Sequence, residues 1–131
     1  MMDKERLELA RYYAFSFQLL DDLMDTYEDM IEDTTVTLPI VYLRVGYLDP
    51  ILQAILAVEP QSCSRYHWIY DVIRIFAVML CANMKFSACY FSAPLHADLM
   101  EFTYPDIDIY ARDMIAFLGK IVDRLLDDKI I

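Results

Sequence analysis

Residues 14–29 read AFSFQLLDDLMDTYED, an apolar run that passes into a dense series of carboxylates. Within nine residues the stretch holds five acidic side chains, namely Asp21, Asp22, Asp25, Glu28 and Asp29. A solvated helix face would place Lys or Arg one turn away to relieve such repulsion, yet no basic residue occurs between Arg11 and Arg44. The stretch therefore predicts a helix whose negative charge is offset by something outside it, and a bound cation is the obvious candidate.

The composition of the chain predicts a single all-α domain. Its 131 residues include two Gly and five Pro, which favours long helices over β-sandwiches or Gly-rich phosphate loops. Apolar residues make up 58% of the chain, above the roughly 45–50% of an average globular domain. A chain this short cannot bury so much apolar surface alone. We therefore expect residues 1–131 to form one partial helical domain, whose surplus apolar surface is covered by a second copy, by a companion chain or by a missing part of the same protein.

Charge and cysteine content narrow the possible partners and the compartment. The net charge of −10 argues against nucleic acid as a partner. Cys63, Cys81 and Cys89 form an odd count without close spacing, which predicts reduced thiols in a cytoplasmic protein. The N-terminus lacks the apolar centre of a signal peptide. The most apolar run, residues 75–84, is well short of the ~20 residues that a membrane-spanning helix needs.

The pattern of apolar residues, Pro and Gly predicts five helices in an antiparallel array. The helix at 37–45 would begin near Pro39, in a first turn where the missing N–H costs nothing, and end at Gly46. The helix at 65–91 is apolar almost all round, which is typical of the centre of a bundle. Residues 92–105 are predicted to be a connection with one helical turn at most. The five predicted helices span about 3–31, 37–45, 49–58, 65–91 and 105–128.

The aspartates of the opening stretch fall on one side of the first predicted helix. Gln18, Asp21, Asp22 and Asp25 occupy positions i, i+3, i+4 and i+7, which share a helix face. Asp21 and Asp25 lie one turn apart, near enough to share Mg²⁺, a cation that prefers carboxylate, water and phosphate oxygen. The apolar residues on the other faces, Phe17 among them, are expected to wall a groove around the carboxylates. The alternative is an ordinary acidic face in contact with solvent.

Two sequence elements resemble a known family. The order A-x-x-F-Q-L-x-D-D-x-x-D, beginning at Ala14, is followed by T-L-P-I-V-Y from Thr37. This pair resembles the second aspartate-rich motif, and the start of the next helix, in trans-type isoprenyl (polyprenyl) diphosphate synthases. The resemblance covers about residues 9–43. It implies a fold like the C-terminal half of the isoprenoid synthase fold.

The resemblance also implies roles for individual residues in a class I prenyltransferase site. Asp21 would bind Mg²⁺ directly, Asp25 directly or through water, and Asp22 would support the hydrated cluster. Gln18 would hydrogen-bond the substrate, and Phe17 would line the apolar wall. The implied reaction is condensation of an allylic diphosphate with isopentenyl diphosphate.

The chain also departs from the family pattern. Nothing like the first aspartate-rich motif precedes Ala14, the basic residues that bind isopentenyl diphosphate are absent, and TYEDMIEDTTV replaces the usual Gly-Lys linker. The resemblance therefore implies half of a site, with no catalytic residue that acts alone, on the C-terminal half of a synthase or on a small separate chain that carries that half. Two alternatives stay open. In the first, the chain is a non-catalytic partner or regulatory subunit that associates through its apolar surface. In the second, it is an unrelated helical interaction domain.

Overall fold

A computed structural model of the protein describes residues 3–32, 36–60, 65–103, 123, 126 and 127. Within these residues the chain is all-α, as predicted, with no strand. No helix in this part is long and apolar enough to cross a bilayer. The described part contains seven helices, α1 (Lys4–Met24), α2 (Thr26–Glu32), α3 (Leu38–Val45), α4 (Asp49–Leu56), α5 (His67–Asn83), α6 (Ser87–Tyr90) and α7 (Ala93–Thr103).

The first predicted helix is divided in two. The sequence predicts one helix over residues 3–31, but α1 ends at Met24 and α2 begins at Thr26. The hydroxyl of Thr26, which is buried, donates a hydrogen bond of 2.9 Å to the backbone carbonyl of Asp22. A Thr hydroxyl that bonds the carbonyl four residues back tends to bend a helix. The break therefore falls within the aspartate-rich stretch, at Asp25.

The face of α1 that enters the core differs from the apolar stripe that is most obvious in the sequence. Leu7, Ala10, Ala14 and Phe17 recur at helical spacing, yet all four are exposed. The buried residues form a second stripe with the same helical period, so periodicity alone cannot say which stripe is buried. The buried residues of α1 are Leu9, Tyr12, Ser16, Leu19, Leu20 and Leu23.

The next two helices agree with the sequence to within two residues. Helix α3 begins at Leu38, has Pro39 in its first turn and is followed by Gly46, as predicted. Helix α4 begins at Asp49, also as predicted, and ends at Leu56 rather than residue 58. Residues 33–35, which we expected to separate the first two predicted helices, lie outside the described residues.

The predicted helix over residues 65–91 is wrong in its second half. Helix α5 ends at Asn83, whose side-chain amide donates to the carbonyl of Met79. Met84 is extended, Phe86 has a φ of 69°, and the short α6 follows. The Asn83 side chain competes for helix carbonyls, as polar residues near a helix end often do. The first half agrees with the predicted central position, since α5 contacts α1, α4, α6 and α7.

The predicted connection over residues 92–105 is also wrong, because most of it forms α7. The backbone N–H and the hydroxyl of Ser92 both donate to the carboxylate of Asp49 just before α7 begins. The N–H of Leu48, the residue before α4, donates to the carbonyl of Tyr90 over 2.7 Å. These bonds join the start of α4 to the start of α7, which packs along α5 and buries Leu99. The predicted helix over 105–128 lies outside the described residues, apart from positions 123, 126 and 127.

Candidate functional site

The last turns of α1 carry the aspartates that the sequence singles out. Asp21 and Gln18 are exposed, whereas Asp22 and Asp25 are half-buried. No basic residue lies in the last turn of α1, although positive charge is what the negative end of a helix dipole favours. The carboxylates therefore gather where the backbone itself repels them, and the last turn of their own helix supplies no basic side chain to offset the charge.

A hydrogen bond orders part of this acidic face. The side-chain amide of Gln18 donates to the carboxylate of Asp22 over 3.2 Å, one helical turn away. Partial burial raises the pKa of Asp22, the Gln18 bond lowers it, and the charges of Asp21, Asp29 and Asp25 raise it further. The balance is upward, so the folded chain holds this carboxylate ionised at a cost.

Asp29 belongs to the same acidic face, although the resemblance assigns it no role. Its backbone N–H donates to the carbonyl of Asp25 over 2.8 Å, so helical spacing continues across the junction between α1 and α2. Asp29 lies seven residues after Asp22, and its charge contributes to the raised pKa of Asp22. The i+4 spacing from Asp25 is the sequence signal that could have found it.

Phe17 lies in a row of three aromatic rings. It stacks on Tyr13, with centroids 4.3 Å apart, and on Phe76 of α5, with centroids 6.0 Å apart. Through this row, Phe17 of the predicted apolar wall connects α1 to α5. Phe15, Phe17 and Met24 are themselves exposed, so the expected groove around the carboxylates is open on this side.

The second element of the resemblance packs next to the first. Thr37 occupies the N-cap position of α3 without making a side-chain capping bond, and Pro39 is buried. Tyr42 is partly buried against the core. Helix α3 contacts both α1 and α2. The helix that begins with the T-L-P segment therefore packs against the aspartate-rich helix.

The carboxylates present suitable donor atoms for Mg²⁺ but not a closed cage. No group of three or more His, Cys, Asp or Glu side chains in the described part of the chain is arranged to hold a metal ion. Mg²⁺ is commonly held by one or two carboxylates, with water and phosphate oxygens completing the octahedron. Asp21 and Asp25 fit that limited contribution, and metal binding by Asp21, Asp22 and Asp25 stays a prediction.

Comparison with protein-family models, curated proteins and solved structures finds no match to this chain. The resemblance to the diphosphate synthases consequently depends on the motif residues between positions 9 and 43. The geometry adds the bond from Gln18 to Asp22, the position of Asp25 at the end of α1, and the contact of α3 with α1 and α2.

Proposed function

We propose that this chain supplies the second aspartate-rich half of a class I prenyltransferase site and binds an allylic diphosphate through Mg²⁺. One observation carries the proposal. Gln18, Asp21 and Asp22 lie on the last turns of α1, Asp25 caps that helix, and α3, which begins with T-L-P, packs against α1. Carboxylates that repel one another, with no cation in their own helix turn, are suited to a divalent ion.

Each residue has a distinct task in this proposal. Asp21 and Asp25 bind Mg²⁺ through their carboxylate oxygens, with Asp25 acting directly or through water. Asp22, oriented by the Gln18 amide, supports the hydrated ion, and Gln18 also hydrogen-bonds the substrate when it binds. When bound, Mg²⁺ neutralises the charge that develops on the departing diphosphate. The ring of Phe17 provides apolar surface for the prenyl chain.

The proposal requires the other half of the site, supplied by a companion chain or by another part of the same protein. A complete site of this class has a second set of aspartates opposite the first, together with basic residues for isopentenyl diphosphate. This chain has neither in positions that match the family motif. The chain is therefore inactive alone, and we place its activity in the cytoplasm because its cysteines are free thiols where described.

Calorimetric titration with Mg²⁺ and inorganic pyrophosphate tests the proposal. Wild type should bind pyrophosphate only when Mg²⁺ is present, and Asp21→Ala should lose that signal. Asp98→Ala is the matched control, since Asp98 is also an exposed helical aspartate but lies on α7. Equal binding by wild type and Asp21→Ala would contradict the metal-site proposal.

A second function is favoured by the exposed apolar side chains. Phe15, Met24, Ile31 and Val45 are among the large apolar residues that the described structure leaves exposed. A non-catalytic partner subunit would use such surface to bind a companion enzyme and would not need the aspartates. In that case Asp21→Ala would leave the activity of the assembled enzyme unchanged, which separates the two functions in one assay.

A further inference from the structure

Helix α2 displays two adjacent stripes of opposite character. Tyr27, Met30 and Ile31 are exposed and follow i, i+3, i+4 spacing, so they form one apolar stripe. Glu28 and Glu32, also exposed, form an acidic stripe directly beside it. Thr26 is the residue of α2 that is buried. The helix therefore presents most of its circumference outwards, and the most exposed residue of the apolar stripe, Ile31, is 66% exposed.

The apolar stripe extends beyond α2 to the turn that follows α5. The ring of Phe86 lies 5.9 Å from that of Tyr27. Phe86 has a φ of 69° and is the one non-glycine residue with positive φ in the described part of the chain. An aromatic residue in this region is strained, yet the conformation leaves its side chain 48% exposed beside Tyr27. We call Tyr27, Met30, Ile31 and Phe86 the α2 surface.

Charge decides what can cover the α2 surface. A second copy of the chain would bring another Glu28 and Glu32 against the same acidic stripe, and each copy carries a net charge of −10. An anionic membrane would be repelled for the same reason. Lys85 is the cation at one end of the surface, 5.4 Å from the centroid of the Phe86 ring. Negative charge therefore dominates along α2, away from the Phe86 end.

We propose that the α2 surface binds a basic amphipathic helix of a protein partner. The partner's apolar side chains, at i, i+3, i+4 and i+7, pack on Tyr27, Ile31 and Phe86, with the spacing by which amphipathic helices are recognised. Its Lys or Arg residues flank that apolar face and pair with Glu28 and Glu32. Met30 supplies a flexible side chain that adapts to the partner's shape. This inference does not depend on the proposed diphosphate site.

A synthetic helical peptide tests the proposal. The probe is a fluorescent peptide of Leu and Lys with its leucines on one face, and its counterpart has Glu in place of every Lys. A third peptide has the composition of the first in scrambled order. Fluorescence anisotropy with the full 131-residue chain should show binding of the amphipathic Lys peptide alone. Raising the ionic strength from about 0.05 M to about 0.5 M should weaken that binding, because exposed charges are screened.

Paired variants test whether the binding lies on α2. The double variant Tyr27→Gln/Ile31→Gln should weaken binding about tenfold or more, since it removes central apolar contacts. Val41→Gln/Val45→Gln is the matched control, because it changes an exposed apolar stripe on α3 instead. Glu28→Gln/Glu32→Gln should weaken binding and reduce its salt dependence. Asp98→Asn/Glu101→Gln removes two exposed charges from α7 and should do neither.

Several results would overturn the proposal. Equal binding of the Lys peptide and its scrambled form would show that general charge attraction suffices. Equal losses in the α2 and α3 variants would show that the binding does not lie on α2. A homodimer in sedimentation that Tyr27→Gln/Ile31→Gln dissociates would make a second copy the occupant. A loss of unfolding free energy in that variant without peptide would show that the surface is already covered within the chain.

Discussion

The rings of Tyr12 and Tyr70 stack in the core with their centroids 4.7 Å apart and their planes within 6° of parallel. This pair joins α1 to α5, and the hydroxyl of Tyr12 continues to a third helix by donating to the carbonyl of Ile55 over 2.8 Å. The carbonyl belongs to the last turn of α4, where carbonyls have no partner within the helix. One side chain thus fixes the orientation of α1 and completes the end of α4.

Removing the Tyr12 hydroxyl should therefore destabilise the protein. In Tyr12→Phe the stack on Tyr70 is kept, but the buried carbonyl of Ile55 loses its donor. Leaving such a group unsatisfied costs about 1–3 kcal/mol, and urea denaturation should show a loss in this range. Tyr13→Phe, at an exposed neighbour on α1, is the control and should change the unfolding free energy by less than about 0.5 kcal/mol. Equal effects would show that the bond contributes nothing.

The conformation of Phe86 predicts an unusual order of stability among two variants. Phe86→Ala and Phe86→Gly both remove the ring, but only glycine relieves the positive φ of 69°. A non-glycine residue in the left-handed region costs roughly 1–2 kcal/mol. Phe86→Gly should therefore be more stable than Phe86→Ala by about 1 kcal/mol, although glycine is ordinarily the less stable of the two. Thermal or urea unfolding of both variants measures the difference, and the reverse order would contradict strain at this position.

The sequence predicts the helices that begin and end at strong local signals, and fails where long-range contacts decide. Pro39 and Gly46 mark α3 correctly, because their effects on the backbone are local. The start of α7 depends instead on Asp49, which binds Ser92 across 43 residues of sequence. The local sequence around Ser92 does not indicate that hydrogen bond. The sequence alone therefore predicts a connection over residues 92–105, where the structure has α7.

The candidate site divides in the same way. The shared face of Asp21, Asp22 and Asp25 follows from helical spacing alone and could be predicted. The break at Thr26 could not, because a threonine at that position is compatible with a continuous helix until its hydroxyl bonds the Asp22 carbonyl. The same limit applies to Phe17, whose stacking on Phe76 joins residues from two helices.

Asp22→Asn should make the apo protein more stable near neutral pH. The pKa of Asp22 is raised in the folded chain, mainly by burial, so the folded state binds its proton more tightly than the unfolded state does. The tighter proton binding stabilises the folded state below the ordinary Asp pKa. That stabilisation is lost as the pH rises through the pKa that Asp22 has in the folded chain. Asparagine carries no charge at any pH, so its folded state does not lose this stabilisation, and its side-chain oxygen still accepts the hydrogen bond from Gln18. Urea denaturation at pH 7 and at about pH 4 should show a gain at pH 7 that shrinks at pH 4.

Asp98→Asn is the control for this experiment. It removes one exposed carboxylate from α7, outside the acidic face of α1 and α2. A surface change of this kind usually alters stability by no more than about 0.5 kcal/mol. If both variants showed the same change at both pH values, the gain would come from the net charge of the chain rather than from the surroundings of Asp22.

Two of the cysteines should differ sharply in reactivity. Cys81 is fully buried, and burial raises the pKa of its thiol to about 12, whereas Cys89 is exposed. The thiolate is the reactive form, so iodoacetamide at pH 8 should modify Cys89 and leave Cys81 intact in the folded protein. Peptide mapping by mass spectrometry measures both sites. Denaturant should make Cys81 react, and rapid labelling of Cys81 before denaturation would contradict its buried position.

The isolated chain should not condense isopentenyl diphosphate with an allylic diphosphate. Diphosphate carries several negative charges, and Asp21, Asp22 and Asp25 add three more, so a few carboxylates alone cannot organise the metal ions that the reaction needs. Positioning two reactants in a complete site lowers the barrier by ~7–11 kcal/mol, and a half-site gives up most of that gain. The assay is incorporation of labelled isopentenyl diphosphate into extractable product.

Adding a companion chain that carries a first aspartate-rich motif and basic residues should restore the activity. Asp21→Ala should then abolish the restored rate, because it removes a proposed metal ligand, whereas Asp98→Ala should leave it unchanged. Tyr27→Gln/Ile31→Gln separates assembly from chemistry. If the α2 surface binds the companion, the rate of this variant should be low at low companion concentration and should recover as the concentration rises. The rate of Asp21→Ala should not recover. Turnover by the 131-residue chain without a companion would show that it holds more than half of a site.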